Sequence, residues 1–156
     1  MTELIVIHGI SLPPGEYGGQ EIEELFTNTL DADAHPYFAE ISGLEVSAHF
    51  LVRRAGEVVQ FVSTDARAWH AGVSCWQGRE QCNDFSIGIE LEGCDDEAYS
   101  DAQYDALNQL LAALTKQYPD IRHDAIVGHS DIAPGRKTDP GPAFDWSRVV
   151  ASQSQQ

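Results

Sequence analysis

Two short aliphatic runs, Leu4-Ile-Val-Ile7 and Ala125-Ile-Val127, constrain this chain more than any other feature. Each is too short for a buried helix and rich in β-branched residues, the pattern of a strand covered on both faces in an α/β sheet. Each also runs into a histidine: His8 follows Ile7, and His129 follows Val127 and Gly128. Ligands in such sheets gather at the carboxyl ends of strands, so His8 and His129 meet if their strands are near neighbours. A lone histidine at a strand end is more often hydrogen-bonded structure than a ligand, and pattern alone leaves that alternative open.

The rest of the chain fills in around these runs. SLPPGEYGG (11–19) reads as a loop, followed by a helix whose Ile22, Leu25, Phe26 and Leu30 share a face. Period two then sets Val46, Ala48, Phe50 and Val52 against Ser47, His49, Leu51 and Arg53, with a turn at 54–57 and a returning strand VVQFV. Residues 69–83 form a long irregular connection of the kind that lines a cleft. Ile87, Ile89 and Leu91 alternate with Gly88, Glu90 and Glu92 in a further strand. Ser100 and Gln103 form a capping box opening a helix in which Tyr104, Leu107, Leu111, Leu114 and Tyr118 mark one side before Pro119 ends it. A short closing helix is expected over 144–150, and a frayed end at SQSQQ. No repeat or linker divides residues 1–156, which are expected to form one domain.

Charge narrows the partners. Nine Lys and Arg against 25 Asp and Glu give a net charge of −16, which opposes nucleic acid, anionic lipid and anionic wall polymer as bulk partners. No apolar run is long enough to cross a membrane. MTELIVIHGI lacks the basic start of an export signal, so a cytoplasmic protein is expected. Cys75, Cys82 and Cys94 are an odd set without C-x-x-C spacing, read as reduced thiols.

A hydrolytic zinc site is one reading of the chemistry-bearing residues. Such sites take three His or carboxylate ligands and leave a fourth position open. Asp139, ten residues after His129, is a candidate third ligand. No H-E-x-x-H is present, so the spacing by itself is a weak signal. Glu90 falls in mid-strand, where a carboxylate needs solvent or a partner. His49 and His70 either compete with His8 as ligands or donate to ligands from outside, Trp69 is either cleft or core, and Lys137 with Asp139 taken alone would be a solvated loop pair.

IVIHGISLPPGEYGG, VSAHFLVRRAGEVVQFV, RAWHAGVS, CNDFSIGIELEG and GHSDIAPGRKTDPGPAFDW occur in this order. They resemble the zinc N-acetylmuramoyl-L-alanine amidases, in particular the cytoplasmic branch that acts on anhydromuropeptides; phage amidases and peptidoglycan recognition proteins belong to the same family. The resemblance spans about residues 4–149. It implies an α/β fold, a single zinc amidase domain with a mixed central sheet and helices packed on it. It implies one zinc per chain on His8, His129 and Asp139, with Glu90 as general base and Lys137 as electrostatic stabiliser. Trp69, His70, Asn83 and Arg136 become candidates for substrate contact. The implied reaction is hydrolysis of the amide between the lactyl group of 1,6-anhydro-N-acetylmuramic acid and L-alanine, in peptidoglycan recycling. Two alternatives stay in view: an amidase of intact peptidoglycan, and a muropeptide-binding module without catalysis. No obligate protein partner is implied. Gly9 replaces the family's usual asparagine, and Glu45 and Gln81 stand where arginine is expected, with Arg136, Arg79 and Arg53 as possible substitutes.

Overall fold

The computed structural model describes residues 1–41 and 43–150, so the SQSQQ end lies outside the described residues. In chain order the elements are β1 (Leu4–Ile10), α1 (Glu21–Phe26), α2 (Pro36–Ile41), β2 (Phe50–Val52), β3 (Val58–Gln60), β4 (Cys75–Trp76), β5 (Arg79–Glu80), β6 (Ser86–Glu92), α3 (Asp101–Gln117), β7 (Ile126–Gly128) and α4 (His129–Ile132). Five strands form one sheet in the order β3-β2-β6-β1-β7. β2, β6, β1 and β7 run parallel and β3 is antiparallel at the edge, the mixed α/β sheet that was expected. β4 and β5 make a separate hairpin inside the 69–83 connection.

Side-chain alternation decides what each sheet face touches. Ile5 and Ile7, Ile87, Ile89 and Leu91, and Phe50 and Val52 join the largest apolar cluster, with Tyr104, Leu107, Leu111 and Leu114 of α3. Burying each such Leu or Ile contributes roughly 1.5–3 kcal/mol. On the other face Leu4, Val6 and Val127 pack with Ala71, Cys82, Phe85 and Ile132. A third cluster joins Leu51 to Leu12, Leu25, Phe26 and Phe38. His8 and Glu90 share this second face, His8 following Leu4 and Val6 along β1 and Glu90 standing between Gly88 and Glu92 along β6.

Local departures from the sequence pattern have identifiable causes. β1 continues to Ile10 because β6 offers partners as far as Glu92, so His8 lies within a strand rather than at its end. Regular alternation begins only at Phe50: Ala48 precedes the strand and packs with Leu51, not with Phe50 and Val52. α1 stops at Phe26, and Leu30 meets the same cluster from beyond the helix. α2 had no sequence expectation; it opens on Pro36, whose fixed φ suits a first helical position. The closing helix is a single 3₁₀ turn, Trp146–Arg148. All three cysteines are free thiols. No helix among the described residues is long and apolar enough to cross a membrane.

The capping box at α3 also ties the helix to the sheet. Ser100 Oγ accepts from Gln103 N at 3.1 Å, and Gln103 Oε1 accepts from Ser100 N at 3.0 Å. The buried amide of Gln103 then donates to Val52 O at 3.1 Å and Glu92 O at 2.9 Å, joining the ends of β2 and β6. Gln103→Ala removes both donations, leaving Glu92 O with only the 3.4 Å bond from Arg54 Nη1, and is expected to cost about 3 kcal/mol in urea unfolding. Ser100→Ala, which removes the cap and the donation of Ser100 Oγ to Arg54 O but keeps the Gln103 amide in place, is expected to cost less, about 1–2 kcal/mol.

Candidate metal centre and cleft

Parallel pairing brings the histidines together. His8 sits opposite Glu90 across β1 and β6, while β7, on the other side of β1, ends at Gly128 immediately before His129. The segment after His129 turns back on itself: Lys137 N donates to Ala133 O at 3.0 Å and Ser130 N to Asp139 O at 3.0 Å. That return carries Asp139 to the two rings. His8, His129 and Asp139 form a group able to hold a metal ion.

The spacing of the inward atoms tests the fit. His8 Nδ1 lies 3.0 Å from His129 Nδ1 and 3.4 Å from Asp139 Oδ2, and His129 Nδ1 lies 3.3 Å from the same oxygen. Zinc ligands at about 2.0–2.1 Å in a tetrahedron stand about 3.3 Å apart. The three separations therefore match one face of a zinc tetrahedron, and the donor set of two imidazoles and a carboxylate suits that ion. Glu90 Oε1 is 3.7 Å from His8 Nδ1, outside that triangle. Its Oε2 is buried without a hydrogen-bond partner among the described residues, an unsatisfied acceptor beside the triad.

Burial dominates the electrostatics. Desolvation, reinforced by the charge of His129, lowers the pKa of His8 to about 4 against the opposing pull of Asp139. Desolvation also holds His70 well below the ordinary imidazole range, so both rings are neutral at pH 7. Burial alone would raise Asp139, but its hydrogen bonds with His129 and His8 outweigh that effect and hold it below the usual carboxylate range. Glu90 is pushed well above that range by burial and then by the Asp139 charge, with Lys137 opposing. The Lys137 charge thus acts on both Glu90 and His8.

These residues open into a cleft of about 580 Å³. Its apolar part includes Leu12, Leu25, Phe26, Tyr37 and Trp69, and its polar part Asp95, Arg136, Lys137 and Thr138. Trp69 is 56% exposed there, with Arg67 stacked on its ring at 4.3 Å. His70 is buried at the cleft floor, its Nδ1 3.0 Å from His8 Nε2. His49 takes no part in the ligand group; its ring nitrogens engage Ala66 O and Gly88 N.

Not every candidate reaches the cleft. Asn83 is buried outside its lining, and its Oδ1 accepts from the backbone of His70 and Ala71. Arg53 is engaged by Glu23, Glu92 and Gly19 O, and Arg79 by Glu3, so neither replaces a cleft arginine. Arg136 does line the cleft while bonding Ala71 O and Val73 O. Tyr37 and Ile41, on the unexpected α2, line it too; only Pro36 signalled them. Tyr99 was also missed: it donates to Pro140 O at 2.8 Å, and a Cβ on Gly9 would come within 2.3 Å of its hydroxyl. Glycine at position 9 is matched to that tyrosine.

Residues 2–142 match the N-acetylmuramoyl-L-alanine amidase family. The chain is 66% identical over 148 residues to the 1,6-anhydro-N-acetylmuramyl-L-alanine amidase AmpD of Enterobacter cloacae, covering 95% of this chain and 79% of that protein. A crystal structure of an AmpD selenomethionine derivative shares the fold with a TM-score of 0.94 at 62% identity, covering 97% of this chain and 84% of that one. AmpDH3 of Pseudomonas aeruginosa, crystallised in complex with anhydromuramic pentapeptide, shares it with a TM-score of 0.76 at 30% identity, over 97% and 60% of the two chains. Sequence and fold agree over nearly the whole length, and the chain belongs to the N-acetylmuramoyl-L-alanine amidase family.

Proposed function

We infer that this protein is a zinc amidase that cleaves 1,6-anhydro-N-acetylmuramoyl peptides between the lactyl group and L-alanine, in peptidoglycan recycling. The observation that carries the reading is the triangle of His8 Nδ1, His129 Nδ1 and Asp139 Oδ2 with zinc-ligand spacing beside the unpartnered Oε2 of Glu90. The 66% identical relative bears the name of that activity, and a more distant one was crystallised with anhydromuramic pentapeptide. A net charge of −16 suits small soluble fragments in the cytoplasm better than an anionic wall.

His8, His129 and Asp139 would hold one zinc per chain. When bound, zinc supplies Lewis acidity and positive charge that acidify water, polarise the scissile carbonyl and draw the Glu90 carboxyl back towards its ionised form. Glu90 takes a proton from the attacking water and returns it to the leaving amine nitrogen of L-alanine. Its unpartnered Oε2 is the acceptor atom for that transfer. Lys137 faces the carbonyl oxygen as negative charge develops there. The apolar part of the cleft suits the sugar ring, with Trp69 as a wall, and the polar part around Arg136 suits the charged peptide.

Mass spectrometry of products from anhydromuropeptide and, separately, from intact sacculi tests the reading. Release of L-alanine-terminated peptide from the first alone is expected; release from sacculi would make it a wall amidase, and no cleavage of either a binding module. Metal analysis is expected to find about one zinc per chain, and a value near zero would remove the ligand assignment. Lys137→Ala is expected to lower kcat about 100-fold with zinc retained. Glu90→Gln is expected to retain zinc and lose about 10²–10⁴-fold in turnover. Because burial raises the folded-state pKa of Glu90 above its ordinary 4.5, its contribution to stability is complete below that pH and is lost as pH rises through the raised value. Metal-free Glu90→Gln is therefore expected to exceed metal-free wild type in stability at pH 8, with the gap closing below pH 4.5, as read by urea unfolding.

A further inference from the structure

Both histidines of the ligand group turn Nδ1 inward, so each offers a lone pair there only when its proton resides on Nε2. The two outer nitrogens end on consecutive residues of one segment. His129 Nε2 lies 3.0 Å from Ala71 O. A carbonyl oxygen only accepts, so His129 Nε2 donates and its Nδ1 is left bare. His8 Nε2 lies 3.0 Å from His70 Nδ1, the rings edge-on with planes at 89°. An imidazole nitrogen can donate or accept, so this contact is decided one step further out. His70 Nε2 lies 3.1 Å from Ser86 Oγ. With its proton directed at that hydroxyl, His70 presents a bare Nδ1 and accepts from His8.

The segment is itself held in place. Asn83 Oδ1 accepts from His70 N at 3.1 Å and Ala71 N at 2.8 Å. Arg136 Nη2 donates to Ala71 O at 2.7 Å. The His70 ring lies against Gly88, where a Cβ would come within 2.4 Å of its Cγ. Serine and glycine at alternate positions of β6 therefore form the seat of the ring.

We propose that His70 and Ala71 act as one positioning segment that fixes the proton-bearing nitrogen of both histidine ligands, with Ser86 setting the tautomer of His70 and Asn83 bracing the segment. This rests on the reading of His8, His129 and Asp139 as zinc ligands. It moves His70 and Asn83 from substrate contact to metal affinity. Partners of this kind typically govern metal affinity by about 10–100-fold.

The test compares zinc affinity, by chelator competition, in wild type, His70→Leu and His70→Asn. The two variant side chains have nearly the same shape, but only asparagine can place an acceptor near the position of Nδ1. Leucine is expected to weaken zinc binding 10–100-fold and asparagine no more than a few-fold. Equal affinity in both variants, whether weakened or unchanged, would overturn the proposal. A second measurement needs no variant: nitrogen-15 NMR of the zinc-loaded wild type is expected to show His70 protonated on Nε2, and protonation on Nδ1 would overturn it. A wild type that takes no zinc would overturn the ligand reading as well, whereas zinc binding indifferent to position 70 overturns only the positioning role.

Discussion

The parallel pairing of β1 with β6 on one side and β7 on the other is the constraint on which the rest of the molecule depends. Its register places His8 opposite Glu90 and delivers His129 from the end of the adjoining strand. A slip of one residue would turn His8 towards α3 and Ile7 towards the cleft, emptying the site and the core together. The alternation that fills the face beneath α3 with Ile5, Ile7, Ile87 and Ile89 thus also aligns the polar groups on the other face. Core and site are two readings of one register.

The site works against the stability of the sheet that carries it. Burial keeps the His8 and His70 rings neutral, the form in which an imidazole can ligate a metal, and it disfavours the ionised form of Glu90. Asp139 stays ionised through its hydrogen bonds with the histidine rings. The surrounding apolar clusters on both faces hold this arrangement in place, as expected where catalytic competence and stability pull in opposite directions.

Much of this was legible because it is local. β-Branched runs, alternation over 86–92 and the Ser100 and Gln103 box each state their structure within a few residues, and the structure follows them. The grouping of His8, His129 and Asp139 was readable only through motif order, since nothing in the spacing of His8 and His129 shows that their strands are neighbours. What escaped was long-range or weakly patterned: the short α2 with Tyr37, the fit of Tyr99 against Gly9, and the path from Ser86 through His70 to His8. Asn83 carries no local signal either, because its role is to hold backbone thirteen residues away. The arginines at 53 and 79 were available by charge alone, but Glu92 and Glu3 already hold them.

The contact between Gly9 and Tyr99 ties two distant parts of the chain to one hydrogen bond. A side chain at position 9 would crowd the Tyr99 hydroxyl, and that hydroxyl is occupied with Pro140 O beside Asp139. Positions 9 and 99, ninety residues apart, are therefore coupled. Growth at the glycine and shortening of the tyrosine strike the same bond, so either change alone loosens the backbone next to Asp139.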